Sequence, residues 1–189
     1  MVPINSNEAE KDGILTAAKL MAVSARTAPK TRGLDSIKTL ILHEPKELEK
    51  LAATMEEVYG EDTERLAFFH RNADDVRKSA VVLLIGVTGE PKRMADPLNC
   101  GACGMDCPAM VKAKKKDQGM MRGPMCHMQS IDLGIALGSA VKTASDLNID
   151  NRMMYSIGAA ARRIKLMDAD LVIGVPLSVT GKDPFFTGR

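Results

Sequence analysis

The chain has 189 residues, of which 45% are hydrophobic and 26% charged, with a formal net charge of +2 at pH 7. These values fit one folded domain and exclude both disorder and low-complexity sequence. The small charge gives no basic footprint for a nucleic acid, and with only 3% aromatic residues base-stacking surfaces are not expected either.

In chain order, Ile14, Ala17, Ala18, Met21, Ala22 and Ala25 recur at helical spacing and predict a core helix over residues 8–25, with Asn and Ser residues just upstream as caps. Pro29 disfavours the helical conformation at Ala28 and Gly33 permits a turn, so this helix should end there. Residues 37–42 alternate weakly and predict a strand. Pro45 suits a first helical turn, and Leu48, Leu51, Ala52, Met55 and Val58 predict a second helix that stops at Gly60. A third is expected over residues 62–77, with Leu66, Phe69, Ala73 and Val76 inward.

Residues 80–87, AVVLLIGV, form a continuous apolar run of strand length, expected to be central and covered on both faces. This run is also the longest apolar stretch, far short of the ~20 residues of a membrane helix. The N-terminal MVPINSNEAEKDG has no apolar core of a signal peptide, so a cytoplasmic protein without a membrane partner is expected.

Residues 94–127, rich in Gly, Pro and Lys, differ from everything around them and are expected to be an insertion in a single domain spanning 1–189. Beyond them, Ile131, Ile135, Ala136, Ser139, Ala140, Thr143, Ala144 and Leu147 predict one helix, and Met154, Ile157, Ala160, Ala161 and Ile164 another. Their small faces suggest that these two helices pack closely together. Residues 170–175 predict a last strand, followed by a polar tail, 180–189, that contains Phe185 and Phe186. The mixture of elements predicts a layered α+β domain.

All four cysteines fall in the insertion: Cys100, Cys103 and Cys107 within eight residues, and Cys126 after eighteen more. In a reducing compartment such a cluster points to metal binding rather than disulfides. Gly101 and Gly104 let the backbone wrap a compact inorganic core, so the four thiolates are candidate ligands of an iron-sulfur cluster. Zinc, which also takes four thiolates, is the alternative, although structural zinc sites usually pair two short knuckles. The x2, x3 spacing also departs from the x2, x2, x3 run of bacterial ferredoxins. Lys112, Lys114, Lys115 and Lys116 follow the third cysteine, either as a solvated face or as counter-charge and docking surface for an acidic redox partner. His127, beside Cys126, is a candidate supporting donor, whereas His43, His70, Tyr59 and Tyr155 show no catalytic arrangement and hydrolytic chemistry finds no support.

Cys100-Gly-Ala-Cys103-Gly, a third Cys and a distant Pro-x-Cys resemble the four-cysteine [4Fe-4S] module of electron-transfer complexes and of the corrinoid subunit of acetyl-CoA synthase/CO dehydrogenase, with a shorter interval before the third cysteine. The chain as a whole, through Ala25-Arg-Thr-Ala-Pro-Lys30, the stretch 132–145 (DLGIALGSAVKTAS) and the stretch 175–182 (VPLSVTGK), resembles a family of prokaryotic ferredoxin-domain proteins. The flanks are similar to the nitroreductase fold. That resemblance implies an α+β sandwich, a homodimer, an FMN site built across it and a C-terminal tail reaching the partner subunit. It also implies FMN-phosphate contacts at Arg26, Lys30 and Arg32, with Lys182 and Arg189 as later basic candidates. The resulting expectation is a redox protein that moves electrons through a [4Fe-4S] cluster to a flavin or a protein partner. The alternative is a non-catalytic module braced by zinc.

Overall fold

The computed structural model of the protein describes residues 3–61 and 67–186. Helix α1 spans Ser6–Thr27, and Asn5 caps it by accepting from Glu8 N at 3.0 Å. The chain leaves α1 before Pro29, as expected, and makes a single 3-10 turn over Thr31–Gly33. Strand β1 (Ile37–Leu42), helix α2 (Pro45–Glu61), helix α3 (Phe68–Lys78) and strand β2 (Val81–Val87) follow. Gly60 does not stop α2, which runs through to Glu61. The expected start of α3, including Leu66, lies outside the described residues.

The cysteine segment contains α4 (Cys107–Lys112) and a small hairpin of β3 (Lys116–Asp117) and β4 (Arg122–Gly123). Helix α5 (His127–Asp146), β5 (Asp150–Asn151), α6 (Tyr155–Arg163) and β6 (Leu171–Ser178) complete the chain. The main sheet has the order β1-β2-β6-β5, and every neighbouring pair is antiparallel. Strand β2 is interior and all seven of its residues are buried. Its apolar run therefore reflects helices on both faces rather than a parallel sheet, to which such runs are more often tied.

Alternation along β2 separates two cores. Val81, Leu83, Ile85 and Val87 face α1 and α5, packing with Ile14, Met21, Leu133 and Ala140. Val82 and Leu84 face α2, α3 and α6, packing with Leu51, Met55, Phe69 and Ile157. The α+β sandwich is thus helix, sheet, helix. This corrects one expectation: α5 and α6 do not pair, because the sheet stands between them. Helix α5 packs on α1, and α6 on β6 and α2. The small faces serve close approach instead; at Gly158 in α6 an added Cβ would lie 1.7 Å from the Val172 carbonyl oxygen. The tail is likewise not wholly polar, since Phe185 is completely buried among the α2, α3 and α6 side chains.

Candidate iron-sulfur site

The cysteine segment leaves the sheet just after β2 and returns at the start of α5, and its two ends are tied together. Cys126 N donates to Gly89 O at 2.8 Å, while Gly89 N donates to Asp170 Oδ2 at 2.8 Å. Position 89 requires glycine, because a Cβ there would stand 2.7 Å from Met125 Cγ. Asp170, at the mouth of β6, also accepts from Lys115 Nζ at 2.6 Å, and its carbonyl accepts from Arg122 N at 2.9 Å. Burial alone would raise the Asp170 carboxyl, but the Lys115 and Gly89 hydrogen bonds and the charges of Lys115 and Arg122 hold it below the usual carboxylate value.

Between these ties the backbone turns sharply around the first three cysteines. Asn99, Gly101 and Gly104 have φ of 44°, 72° and 78°, the left-handed region that glycine tolerates best. Gly104 N donates to Gly101 O at 2.9 Å, and Asn99 Oδ1 accepts from Cys107 N at 2.9 Å. Asp106 then caps α4 through Ala109 N, with Pro108 in its first turn. Cys107 is held at the base of the loop, while Cys100 stays exposed. The Cys103 thiol donates to Met105 O at 3.7 Å.

Cys100, Cys107 and Cys126 line one small cleft together with Arg32, Lys92 and Gln129. Burial pushes the Cys126 thiol up, the Gln129 and Met128 amides oppose this, and the nearness of Cys103 and Cys107 adds to the rise. All four thiols are unbridged; Cys100 and Cys103 belong to one loop, Cys107 opens α4 and Cys126 caps α5. Among the described residues, no three His, Cys, Asp or Glu side chains already stand at the spacing of a single metal ion. The donor set nonetheless suits a sulfur-liganded cluster: four soft ligands, two of them buried, with cations at the wall.

The three residues expected to hold a flavin phosphate are turned to partners within the chain. Arg26 pairs with Asp35 and donates to Ile37 O at 2.7 Å. Lys30, whose side chain is 4% exposed, donates to the Ala25 and Arg26 carbonyls at the end of α1. Arg32 pairs with Asp96 at 2.6 Å, bracing the start of the cysteine segment, and its side chain lines the cysteine cleft. Lys182 is exposed, and Arg189 lies outside the described residues. His127 is exposed at the first turn of α5. Two residues of the site were missed in the sequence: Lys92, whose only signal is its place between Pro91 and Arg93 before the first cysteine, and Asp170, expected to open the last strand but standing just before β6.

The fold is the nitroreductase-like α+β fold. A nitroreductase family protein from Clostridium novyi superposes with a TM-score of 0.51 at 14% identity, over 95% of this chain and 77% of that one. A protein from Desulfovibrio desulfuricans described as a putative nitroreductase, solved in complex with FMN, superposes with a TM-score of 0.52 at 12% identity, over 89% of this chain and 75% of its own. At such identities the likeness defines the fold alone.

Sequence similarity narrows this further. An uncharacterized protein of Archaeoglobus fulgidus is 46% identical over 185 residues, covering 97% of this chain and 96% of its own. Residues 122–187 match the model of a family described as uncharacterized proteins containing a ferredoxin domain (DUF2148). The chain belongs to this ferredoxin-domain family. The matched stretch takes in Cys126 and begins after the other three cysteines. Among the described residues no helix is long and apolar enough to cross a membrane.

Proposed function

We propose that this chain is a redox protein whose Cys100, Cys103, Cys107 and Cys126 hold a [4Fe-4S] cluster through which electrons are moved. The observation that carries this reading is the single cleft lined by Cys100, Cys107 and Cys126, with Cys103 close enough to perturb Cys126. A bound cluster supplies a one-electron acceptor and donor. The chain's own groups support the ligands: Asn99 fixes the Cys107 amide, Gly89 fixes the Cys126 amide, and Arg32 ties the first loop to the 3-10 turn. Anaerobic purification with iron, sulfide and zinc analysis is the test. About four irons and four sulfides per chain are expected; stoichiometric zinc with no iron after reconstitution would replace the cluster with the zinc-braced, non-catalytic module.

Flavin binding is the second reading, favoured by the shared fold of the FMN-bound Desulfovibrio protein. Because Arg26, Lys30 and Arg32 are committed internally, an FMN phosphate would have to draw one of them from its present partner. FMN released by heat from the anaerobic protein supports an FMN-linked oxidoreductase; a colourless supernatant removes it.

Two partners complete the reading. An acidic electron-transfer protein suits the cysteine segment, where Lys112, Lys114 and Lys116 are exposed and form no ion pair among the described residues, and where Cys100 is exposed as well. A second copy of the chain suits the outer face of α1 and α5, where Leu20, Val23, Ile131 and Ile135 are exposed next to Gly134 and Gly138.

A further inference from the structure

Behind the cysteine cleft, on the side facing the protein, stands a group of charges that the ligand assignment does not use. Asp132 on α5 is 1% exposed. Its Oδ1 accepts from Thr31 N at 2.8 Å and Thr31 Oγ1 at 2.9 Å, while its Oδ2 is buried without a hydrogen-bond partner. Lys92 lines the cleft itself; its Nζ donates to Leu34 O at 2.8 Å and forms no ion pair among the described residues. Desolvation lowers the Lys92 ammonium, and the nearby Asp35 and Asp132 carboxylates only partly restore it. Arg32, the other cation at the cleft wall, is already neutralised by Asp96.

The local charges do not balance. Arg26, Lys30 and Lys92 stand against Asp35 and Asp132, and Arg26 is bound to Asp35. One positive charge is left over, and the cation that lines the cleft with Cys100, Cys107 and Cys126 and lacks an ion pair among the described residues is Lys92. A partly buried ammonium with a single hydrogen bond is costly unless an anion stands against it. A four-thiolate cluster would be such an anion, and Cys100, Cys107 and Cys126, which would hold it, line the same cleft as Lys92.

We propose that Lys92, whose ammonium is anchored on Leu34 O at the cysteine cleft, would be the counter-charge of the cluster and would raise its reduction potential. The inference rests on the cluster reading above. In the reduction concerned, the cluster takes one electron from an external one-electron donor; no bond forms or breaks, and the cage gains one negative charge. A fixed ammonium at the cleft wall favours that extra charge over the oxidised state. Lys92 thus acts on the cluster as a positioning residue, through its field.

The test uses the full chain, reconstituted anaerobically, with iron and sulfide counted before the potential is measured by dithionite titration followed by electron paramagnetic resonance. Lys92→Met is expected to lower the reduced-to-oxidised ratio at a fixed poise about tenfold, equivalent to 59 mV for one electron. Lys92→Arg should stay within about twofold of the parent, and Lys116→Met, which removes an exposed charge elsewhere on the segment, should leave the potential unchanged. Full iron with an unchanged potential in Lys92→Met overturns the inference while leaving the cluster in place. An iron-free parent chain removes the cluster reading itself. If Lys92→Met does not retain iron, Lys92→Gln and Lys92→Arg decide: iron kept by Arg but lost from both neutral variants supports the counter-charge, and iron lost from all three overturns it in favour of a packing role.

Discussion

Lys115 Nζ and Asp170 Oδ2 stand 2.6 Å apart, with side chains 13% and 5% exposed, and join the cysteine segment to the mouth of β6. The pair fastens a long insertion to the rigid part of the domain. Removing one partner of a buried pair costs about 3–5 kcal/mol because the other charge is left stranded. Glu90, 3.3 Å from Lys115, remains as a substitute, so Asp170→Ala should fall near the low end, about 3 kcal/mol by urea unfolding of the metal-free chain. Lys115→Met in the same background should then add little. A near-additive double variant would show that the pair is not coupled.

The same carboxylate predicts how stability depends on pH. Asp170 in the folded chain titrates below the ordinary 3.8, so below about that pH the unfolded chain binds more protons than the folded one. Stability should therefore be fully present above pH 4, and be lost as the pH falls through the depressed folded value. Asp35, also depressed, adds to the same acid-side loss. Urea midpoints of the parent and Asp170→Asn, measured from pH 6 downward, should draw together as the pH falls through the depressed folded value; parallel curves would show that the group does not carry the effect.

The four cysteines differ in exposure, although each is proposed as a ligand. Cys100 is exposed and Cys126 is 7% exposed at the start of α5. Replacing any one by Ala should lower iron well below about four per chain. Cys100→Ala should leave metal-free stability within about 0.5 kcal/mol, as for surface substitutions. Iron analysis beside urea unfolding separates ligand loss from fold loss, and full iron retained by Cys100→Ala would strike it from the ligand set.

Much of the fold was legible because its signals are local. The β2 run, the helical spacing of α1 and α5, and the Pro29 stop all act within a few residues. So is the cysteine set, since its spacing and glycines lie in one stretch. What escaped is non-local. Nothing near Asp170 or Lys92 in sequence announces that the first meets Lys115 or that the second lines a cleft with cysteines up to 34 positions away. The small faces of α5 and α6 also looked alike, yet one meets α1 and the other meets a strand backbone. Nor does sequence show that Asp35, the α1 carbonyls and Asp96 engage Arg26, Lys30 and Arg32, the residues that the nitroreductase resemblance marks for a flavin phosphate.

Gly158→Ala and Gly138→Ala test this difference between the helices. At Gly158 the added methyl would meet the Val172 carbonyl at 1.7 Å, and backbone cannot give way as a flexible side chain can. The cost should exceed the about 1–3 kcal/mol usual for overpacking. At Gly138 nothing lies within 4 Å, so a helix interior loses only the entropic penalty of glycine and gains about 0.5–1 kcal/mol. Equal effects at the two sites, by thermal or urea unfolding, would contradict the packing of α6 on β6.

The tail makes a similar contrast between adjacent rings. Phe185 is fully buried, whereas Phe186 is exposed with Arg152 5.3 Å above its ring. Phe185→Ala should cost about 3–5 kcal/mol through the cavity it leaves. Phe186→Ala removes an exposed cation-π contact of about 0.5–1 kcal/mol.

The outer face of α1 and α5 supplies the last test. Ile131, Gly134, Ile135 and Gly138 follow one another along one exposed side of α5, Leu20 and Val23 are exposed on α1, which packs against it, and the small residues would let a second helix approach closely. If a second copy covers this face, light scattering at micromolar concentration should give twice the mass of one chain. Ile135→Glu should return it to one chain while changing the unfolding free energy of the isolated chain by no more than about 0.5 kcal/mol, because the side chain touches solvent there. A parent chain that scatters as a monomer would count against the second copy. A dimer untouched by Ile135→Glu would move the contact to another face.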